Sequence, residues 1–234
     1  MSISFRVHEI FDSIQFEGMN CGKQARFVRF YGCNLKCSFC DTDQKEITPQ
    51  SYTTEDLLKV ITVWPIPELI VLTGGEPTLQ PIGELLRQLK NVGLGRSIGL
   101  NTSIAIETNG KLIEPLKDAC AAWPQVHITV SPKYDARIFE AVALWHKGSV
   151  VPSEFKFIIG PVLDFAYFYD QWFSLANLLN VPIYLQPGMM PDSSNSLIDQ
   201  MKHIVQGPIT ELFKKYSNMP LRLSLQGHKL MDMR

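Results

Sequence analysis

Short apolar, β-branched runs alternate along this chain with stretches whose apolar residues recur every three or four positions. The first kind predicts strands: ARFVRFYG (25–32), ELIVLTGG (68–75), SIAIETNG (103–110), VHITVSPK (126–133), EFKFIIG (154–160), VPIYLQPG (181–188) and LRLSLQGHK (221–229). The second kind predicts helices: TTEDLLKVITVW (53–64), PIGELLRQLKNVG (81–93), IEPLKDACAAW (113–123), DFAYFYDQWFSLANLL (164–179) and SLIDQMKHIVQ (196–206). Several of these open on Thr, Asp or Pro, residues that cap or start helices. Strands alternating with helices call for parallel β/α units joined by right-handed crossovers. No internal repeat, low-complexity tract or linker interrupts the pattern, so residues 1–234 are read as one domain.

Nearly every predicted strand ends in a polar or Gly-rich group: TGGEP, ETNG, SPK, LQP, LQGHK. Gly, Pro, Asn and Ser dominate ordinary turns, and one such ending would need no other account. A whole series of them, in order along the chain, fits the mouth of a barrel-like α/β fold, where functional groups gather at strand ends. Strands too few for a closed eight-stranded barrel predict an α/β fold of partial, shortened barrel type with outer helices.

Composition narrows the class. The 234 residues carry 22 basic against 23 acidic side chains and are 45% hydrophobic, enough to bury a sizeable core and without a basic footprint for nucleic acid. MSISFRVHEIF lacks the basic start and continuous apolar stretch of a signal peptide. No apolar run approaches the roughly 18 residues of a membrane span. A cytoplasmic, soluble protein is expected. The five cysteines agree, being odd in number and crowded rather than spread as a disulfide framework.

Three of them, Cys33, Cys37 and Cys40, fall in GCNLKCSFCDT as CxxxCxxC. Three thiolates leave a tetrahedral site one ligand short. Structural zinc normally has four protein ligands, and His127 and His146 stand isolated. Electron-transfer iron–sulfur clusters also use four thiolates as a rule. An iron without its protein ligand can bind a small molecule instead, which implies chemistry at the cluster. Cys21 sits in a Gly-containing loop, where a fourth-ligand role is open, and Cys120 reads as a small buried helix residue.

CxxxCxxC, with Phe39 between the second and third cysteines and TGGEP at 73–77, resembles the radical S-adenosylmethionine superfamily. The resemblance implies a four-iron four-sulfur (4Fe-4S) cluster on Cys33, Cys37 and Cys40, whose open iron is chelated by S-adenosylmethionine. Reductive cleavage of that cofactor then gives a 5′-deoxyadenosyl radical, which abstracts hydrogen from substrate. Gly74, Gly75 and Glu76 would meet the cofactor's amino group. SIQFEG (13–18), FVRFYGCNLKCSFCDT (27–42), ETNG, SPK, LQP and LSLQGHK (223–229) further resemble, in order and spacing, the 7-carboxy-7-deazaguanine synthase family.

That resemblance covers nearly the whole chain. It implies a magnesium-dependent homodimer that converts 6-carboxy-5,6,7,8-tetrahydropterin to 7-carboxy-7-deazaguanine and ammonia, in the queuosine and 7-deazapurine pathway. A flavodoxin- or ferredoxin-type donor would supply electrons; neither nucleic acid nor membrane would be a direct partner. Carried over, Thr42 would hold Mg2+, with Asp41 orienting its shell. Ile14, Gln15, Phe16, Glu17, Arg29, Thr73, Gln226 and His228 would contact the pterin, Arg29 gripping its carboxylate. Thr108, Asn109, Ser131, Pro132, Lys133 and Gln186 would line the adenosylmethionine site.

Plainer roles stand beside these. Arg29 reads equally as half of a buried ion pair, Thr42 as a turn cap, Lys133 as solvent-exposed and His228 as a surface residue. His8, His127, His146 and His203 read as structural or solvated. DFAYFYDQWF reads as a buried or dimer-facing helix rather than a base-stacking platform. The chain departs from the family at Phe16, where Gly is usual, at Gly227, where Thr is usual, and in its MDMR tail. Two rival functions remain at this level: another compact radical enzyme, such as a glycyl-radical activase, and a zinc-stabilised binding module.

Overall fold

The computed structural model describes residues 3–37, 40, 48–93, 102–133, 145, 150–160, 166–188 and 196–231. Its strands are β1 (Ser4–Ile14), β2 (Gln24–Phe30), β3 (Gln50–Thr53), β4 (Leu69–Gly74), β5 (Ser103–Thr108), β6 (His127–Val130), β7 (Glu154–Ile159), β8 (Ile183–Pro187) and β9 (Leu221–Leu223). Its helices are α1 (Thr54–Ile61), α2 (Ile82–Asn91), α3 (Glu114–Ala122), α4 (Ala166–Leu178), α5 (Leu197–Ile204), α6 (Thr210–Lys215) and α7 (Gly227–Leu230). All strands join one sheet in the order β3-β1-β2-β4-β5-β6-β7-β8-β9. From β2 to β9 every pairing is parallel, whereas β1 lies antiparallel to both β2 and β3. The order has two ends, so the sheet stays an open, partial barrel.

Each predicted strand is present, although LRLSLQGHK yields only a short β9 before α7 begins. β1 and β3 were not predicted. β1 reads SFRVHEIFDSI, in which His8, Glu9 and Asp12 break the alternation, and QSYT of β3 is polar throughout. The predicted helix at 196–206 continues further than expected. A π turn at Val205–Ile209 absorbs Pro208, and α6 follows directly. A wide turn tolerates the missing proline N–H that would break a regular helix.

Strand alternation sorts the side chains onto two faces. Ile70 and Leu72 of β4, Ile104 and Ile106 of β5, Phe155 and Phe157 of β7 and Ile183 and Leu185 of β8 pack outward into the main core beneath the helices. Burying each such side chain contributes about 1.5–3 kcal/mol. The aromatic run of α4 belongs to this core: Phe168, Tyr169, Trp172 and Phe173 are buried, and the Phe157 and Phe173 rings meet edge-on at 5.1 Å. Its expected inward packing therefore holds. The inner face carries a much smaller cluster, Ala25, Leu69, Val71 and Ala105, with Phe27 against it. Continuing at every second residue on that face gives Arg29, Thr73, Glu107, Lys156 and Gln186, all of which line one cavity. Period two thus places the chemistry. No helix among the described residues is long and apolar enough to cross a membrane.

Candidate functional site

The cavity on the inner face holds about 250 Å³. Cys33, Cys37 and Cys40 stand on its wall together with Gly74 and Gly75. Their loop is strapped to the end of β4, where Gly75 N–H donates to the Phe30 carbonyl at 2.9 Å and Glu76 N–H to the Gly32 carbonyl at 2.7 Å. Gly74 has φ +109°, and a Cβ there would lie 2.4 Å from the Phe30 nitrogen. Only glycine fits so close to β2. Burial pushes the Cys33 and Cys37 thiols up; repulsion from Glu76 and Cys40 adds to this at Cys33, while Lys133 opposes it at Cys37. The Leu35 N–H donates to Cys33 Sγ at 3.4 Å. No three His, Cys, Asp or Glu among the described residues stand close enough to share a single metal ion.

Glu76 does not line the cavity. Its carboxylate is fully buried behind the glycines, where it accepts from Thr78 N–H (3.0 Å), Thr78 Oγ1 (2.6 Å), Thr108 Oγ1 (2.7 Å) and Asn109 N–H (2.8 Å). It ties the end of β5 to the turn after β4, with its oxygens engaged by the protein itself. Asn109 reaches from the same tie to the cysteine loop, its Nδ2 donating to Asn34 Oδ1 at 2.8 Å. Ser131, Lys133 and Gln186 face the same cavity; Lys133 Nζ donates to Ser131 Oγ, and Ser224 Oγ donates to the buried Gln186 at 3.3 Å. Pro132 is buried beside them.

The opposite wall is a charge network. Lys156, buried in the apolar run of β7, pairs with Glu17 and, at 3.4 Å, with Glu107. Glu107 also accepts from Gln15 Nε2 (3.1 Å) and Thr73 Oγ1 (2.8 Å). Burial opposes charge on both partners. For Lys156 the carboxylates of Glu107 and Glu17, with Glu154 beyond, outweigh it and hold the ammonium above the usual lysine range. For Glu107, Lys156 and the two hydrogen bonds keep the carboxyl below its ordinary value. His228 Nδ1 lies 4.0 Å from Glu17 Oε1, so it faces the cavity rather than the outer surface.

Arg29 lines the cavity with Phe11 and Phe27, and its Nε pairs with Glu9 at 2.9 Å. Both readings of Arg29 thus have support in the fold. The chain leaving β1 crosses the inner face towards the far end of the sheet. Met19 N–H donates to Glu154 at 2.7 Å and Gly18 N–H to Ser224 Oγ at 3.2 Å. Ile14, Gln15 and Glu17 line the cavity, as do Gln226 and His228, whereas Phe16 points away and packs on Gly227.

Phe39, Asp41, Thr42 and His146 lie outside the described residues. Cys21 is exposed and lies off the cavity, and Cys120 packs partly buried against the core. Sequence reasoning missed Glu107 and Lys156. The signal was available, since a charged residue in an apolar strand must find a partner. That argument was applied to Arg29 and applies equally to EFKFII and SIAIET.

A mostly parallel open sheet, with three thiols on its inner cavity and a glycine turn strapped to their loop, defines a radical SAM protein. The Radical SAM superfamily model matches residues 27–139. The 7-carboxy-7-deazaguanine synthase of Bacteroides thetaiotaomicron is 31% identical over 98% of this chain and 98% of its own length. That of Synechocystis sp. is 29% identical over 100% and 96%. A crystal structure of QueE from Escherichia coli shares the fold with a TM-score of 0.61, at 21% identity over 95% of this chain and 94% of that one. The chain belongs to the 7-carboxy-7-deazaguanine synthase family.

Proposed function

We propose that the protein converts 6-carboxy-5,6,7,8-tetrahydropterin to 7-carboxy-7-deazaguanine with loss of ammonia. One observation carries this reading: the same small-ligand cavity is lined by three thiols and by a network of half-buried carboxylates with a buried amide and ammonium. A four-iron four-sulfur cluster fits the first wall, because three soft thiols share it without disulfides, and an N–H already points at Cys33 Sγ. When bound, the cluster and S-adenosylmethionine would supply the radical chemistry that activates the substrate. Gly74, Gly75, Thr108, Asn109, Ser131, Pro132, Lys133 and Gln186 hold that cofactor, and Glu76 fixes their geometry from behind.

Gln15, Glu17 and Glu107 offer acceptors to the amino and amide edge of a pterin, and Thr73, Gln226 and His228 border it. Lys156 keeps Glu107 ionised, so that it accepts hydrogen bonds rather than donating them. Arg29, paired with Glu9, grips the substrate carboxylate. Thr42 holds Mg2+, a flavodoxin- or ferredoxin-type protein delivers electrons, and the chain acts as a cytoplasmic, single-domain homodimer. Anaerobic reconstitution with iron and sulfide tests the reading: 5′-deoxyadenosine release should depend on added 6-carboxytetrahydropterin. Equal release with and without the pterin would overturn the substrate assignment.

A further inference from the structure

β3 pairs only with Ser4–Val7 of β1, so hydrogen bonding leaves the sheet open between the second half of β1 on one side and β9 on the other. Both strands nevertheless lead into segments that wall the same cavity. After β1 come Gln15 and Glu17; after β9 come Gln226, His228 and Lys229. At Glu17 the chain is extended (φ −119°, ψ 149°), so the side chains of Glu17 and its neighbour Phe16 point to opposite sides. Gln15 and Glu17 face inward, and Phe16 faces the other way. On that side the half-buried Phe16 meets Gly227, the first residue of α7.

The contact leaves no room for a side chain at 227. A Cβ on Gly227 would stand 2.6 Å from Phe16 Cδ1, 3.0 Å from Cγ and 3.3 Å from Cβ. The last two atoms do not move when the ring turns, so flipping the ring offers no escape. Either Phe16 leaves its rotamer, or the 226–229 turn or the 14–17 segment shifts. Each carries groups that approach one another across the cavity, such as His228 and Glu17 at 4.0 Å. A shift at the contact therefore changes the cavity wall directly.

We propose that Phe16 and Gly227 form a clasp that closes the open barrel and sets the register of its substrate-side wall. Phe16 is then a positioning residue: it touches no ligand, and acts through Gln15, Glu17, Gln226 and His228. The cysteine loop is tied instead to the turn after β4 and to Asn109. The inference rests on the proposed reaction for its kinetic readout, but not for its structural one.

The test is a double-mutant cycle on the reconstituted full chain with Gly227→Ala, Phe16→Ala and both together. Gly227→Ala should raise the KM for 6-carboxytetrahydropterin by about tenfold to a hundredfold, as displacements near 1 Å do, and leave the KM for adenosylmethionine within about twofold. Added to Phe16→Ala, the same change should alter the pterin KM by less than about twofold, because the obstructing ring is gone. Equal effects in both backgrounds, or parallel rises in both KM values, overturn the clasp. If the wild-type protein leaves the pterin intact, the proposed reaction falls and hydrogen exchange decides the clasp alone. Exchange at the Gly18 and Met19 amides, bonded to Ser224 and Glu154, should quicken on Gly227→Ala only where Phe16 is present. Quickening in both backgrounds refutes the clasp. Failure of Gly227→Ala to fold with Phe16 but not with Ala at 16 is the same coupling in stronger form; failure in both refutes it.

Discussion

Replacing Lys156 with Met removes the buried cation that two half-buried carboxylates share while keeping most of the side-chain volume. The Nζ–Glu107 distance of 3.4 Å corresponds to about 5 kcal/mol of attraction at an effective dielectric of about 20. Glu17 adds a second pair. The side chains of Lys156 and Glu17 are only 7% and 12% exposed, so water screens them little. Orphaning a buried charge in this way costs about 3–5 kcal/mol. At about 2–4 °C per kcal/mol for a domain of this size, the melting temperature should fall by about 6–20 °C near pH 7.5.

The pH dependence identifies the cause. Glu107 has a lowered pKa, so its contribution is present above the unfolded carboxylate value of about 4.3 and fades as pH falls through the lower folded value. Lys156 has a raised pKa, so its contribution persists up to the unfolded lysine value of about 10.4 and is lost only as pH rises through the higher folded value. The native pair is therefore fully charged across the neutral range. In Lys156→Met the Glu107 carboxylate stays desolvated without its cation until protonated. The gap in melting temperature from wild type should narrow as pH is lowered from about 7.5 to about 5. Thermal unfolding followed by circular dichroism under anaerobic conditions measures it. A gap under about 2 °C at neutral pH, or one unchanged at low pH, would refute the reasoning.

Other changes separate the parts of the site. Cys40→Ala should leave the reconstituted protein without its brown iron–sulfur absorbance and without activity; full activity would remove Cys40 from the ligand set. Thr42→Ala should weaken magnesium stimulation with the absorbance intact, and unchanged magnesium dependence would return Thr42 to a turn-capping role. Glu76→Gln turns an acceptor into a donor opposite Asn109 N–H or the Thr108 hydroxyl, so it should cost about 1–3 kcal/mol of stability and raise the KM for adenosylmethionine. A variant as stable as wild type would show that Glu76 does not hold the strand ends together.

The parallel core was legible because its strands are buried on the helix face and read as continuous apolar runs between amphipathic stretches. β1 and β3 were not, since an antiparallel edge pair can carry charge on its exposed positions and loses the alternation that marks a strand. Cysteine spacing and strand-end motifs named most of the cavity wall. Lys156 escaped because it sits inside a strand rather than at its end, where sequence reading looked for chemistry; Glu107 opens the strand-end ETNG, from which only Thr108 and Asn109 were given roles. The compensation between Phe16 and Gly227 was visible only as two departures; that they touch depends on β9 and the half of β1 beyond β3 lying at the two open sides of the sheet, which no local pattern encodes.

The central claim is most directly tested by anaerobic incubation of the reconstituted protein with 6-carboxytetrahydropterin, adenosylmethionine, magnesium and a reductant, with products read by mass spectrometry. The account predicts release of 7-carboxy-7-deazaguanine and ammonia. Formation of 5′-deoxyadenosine with the pterin left intact would contradict it.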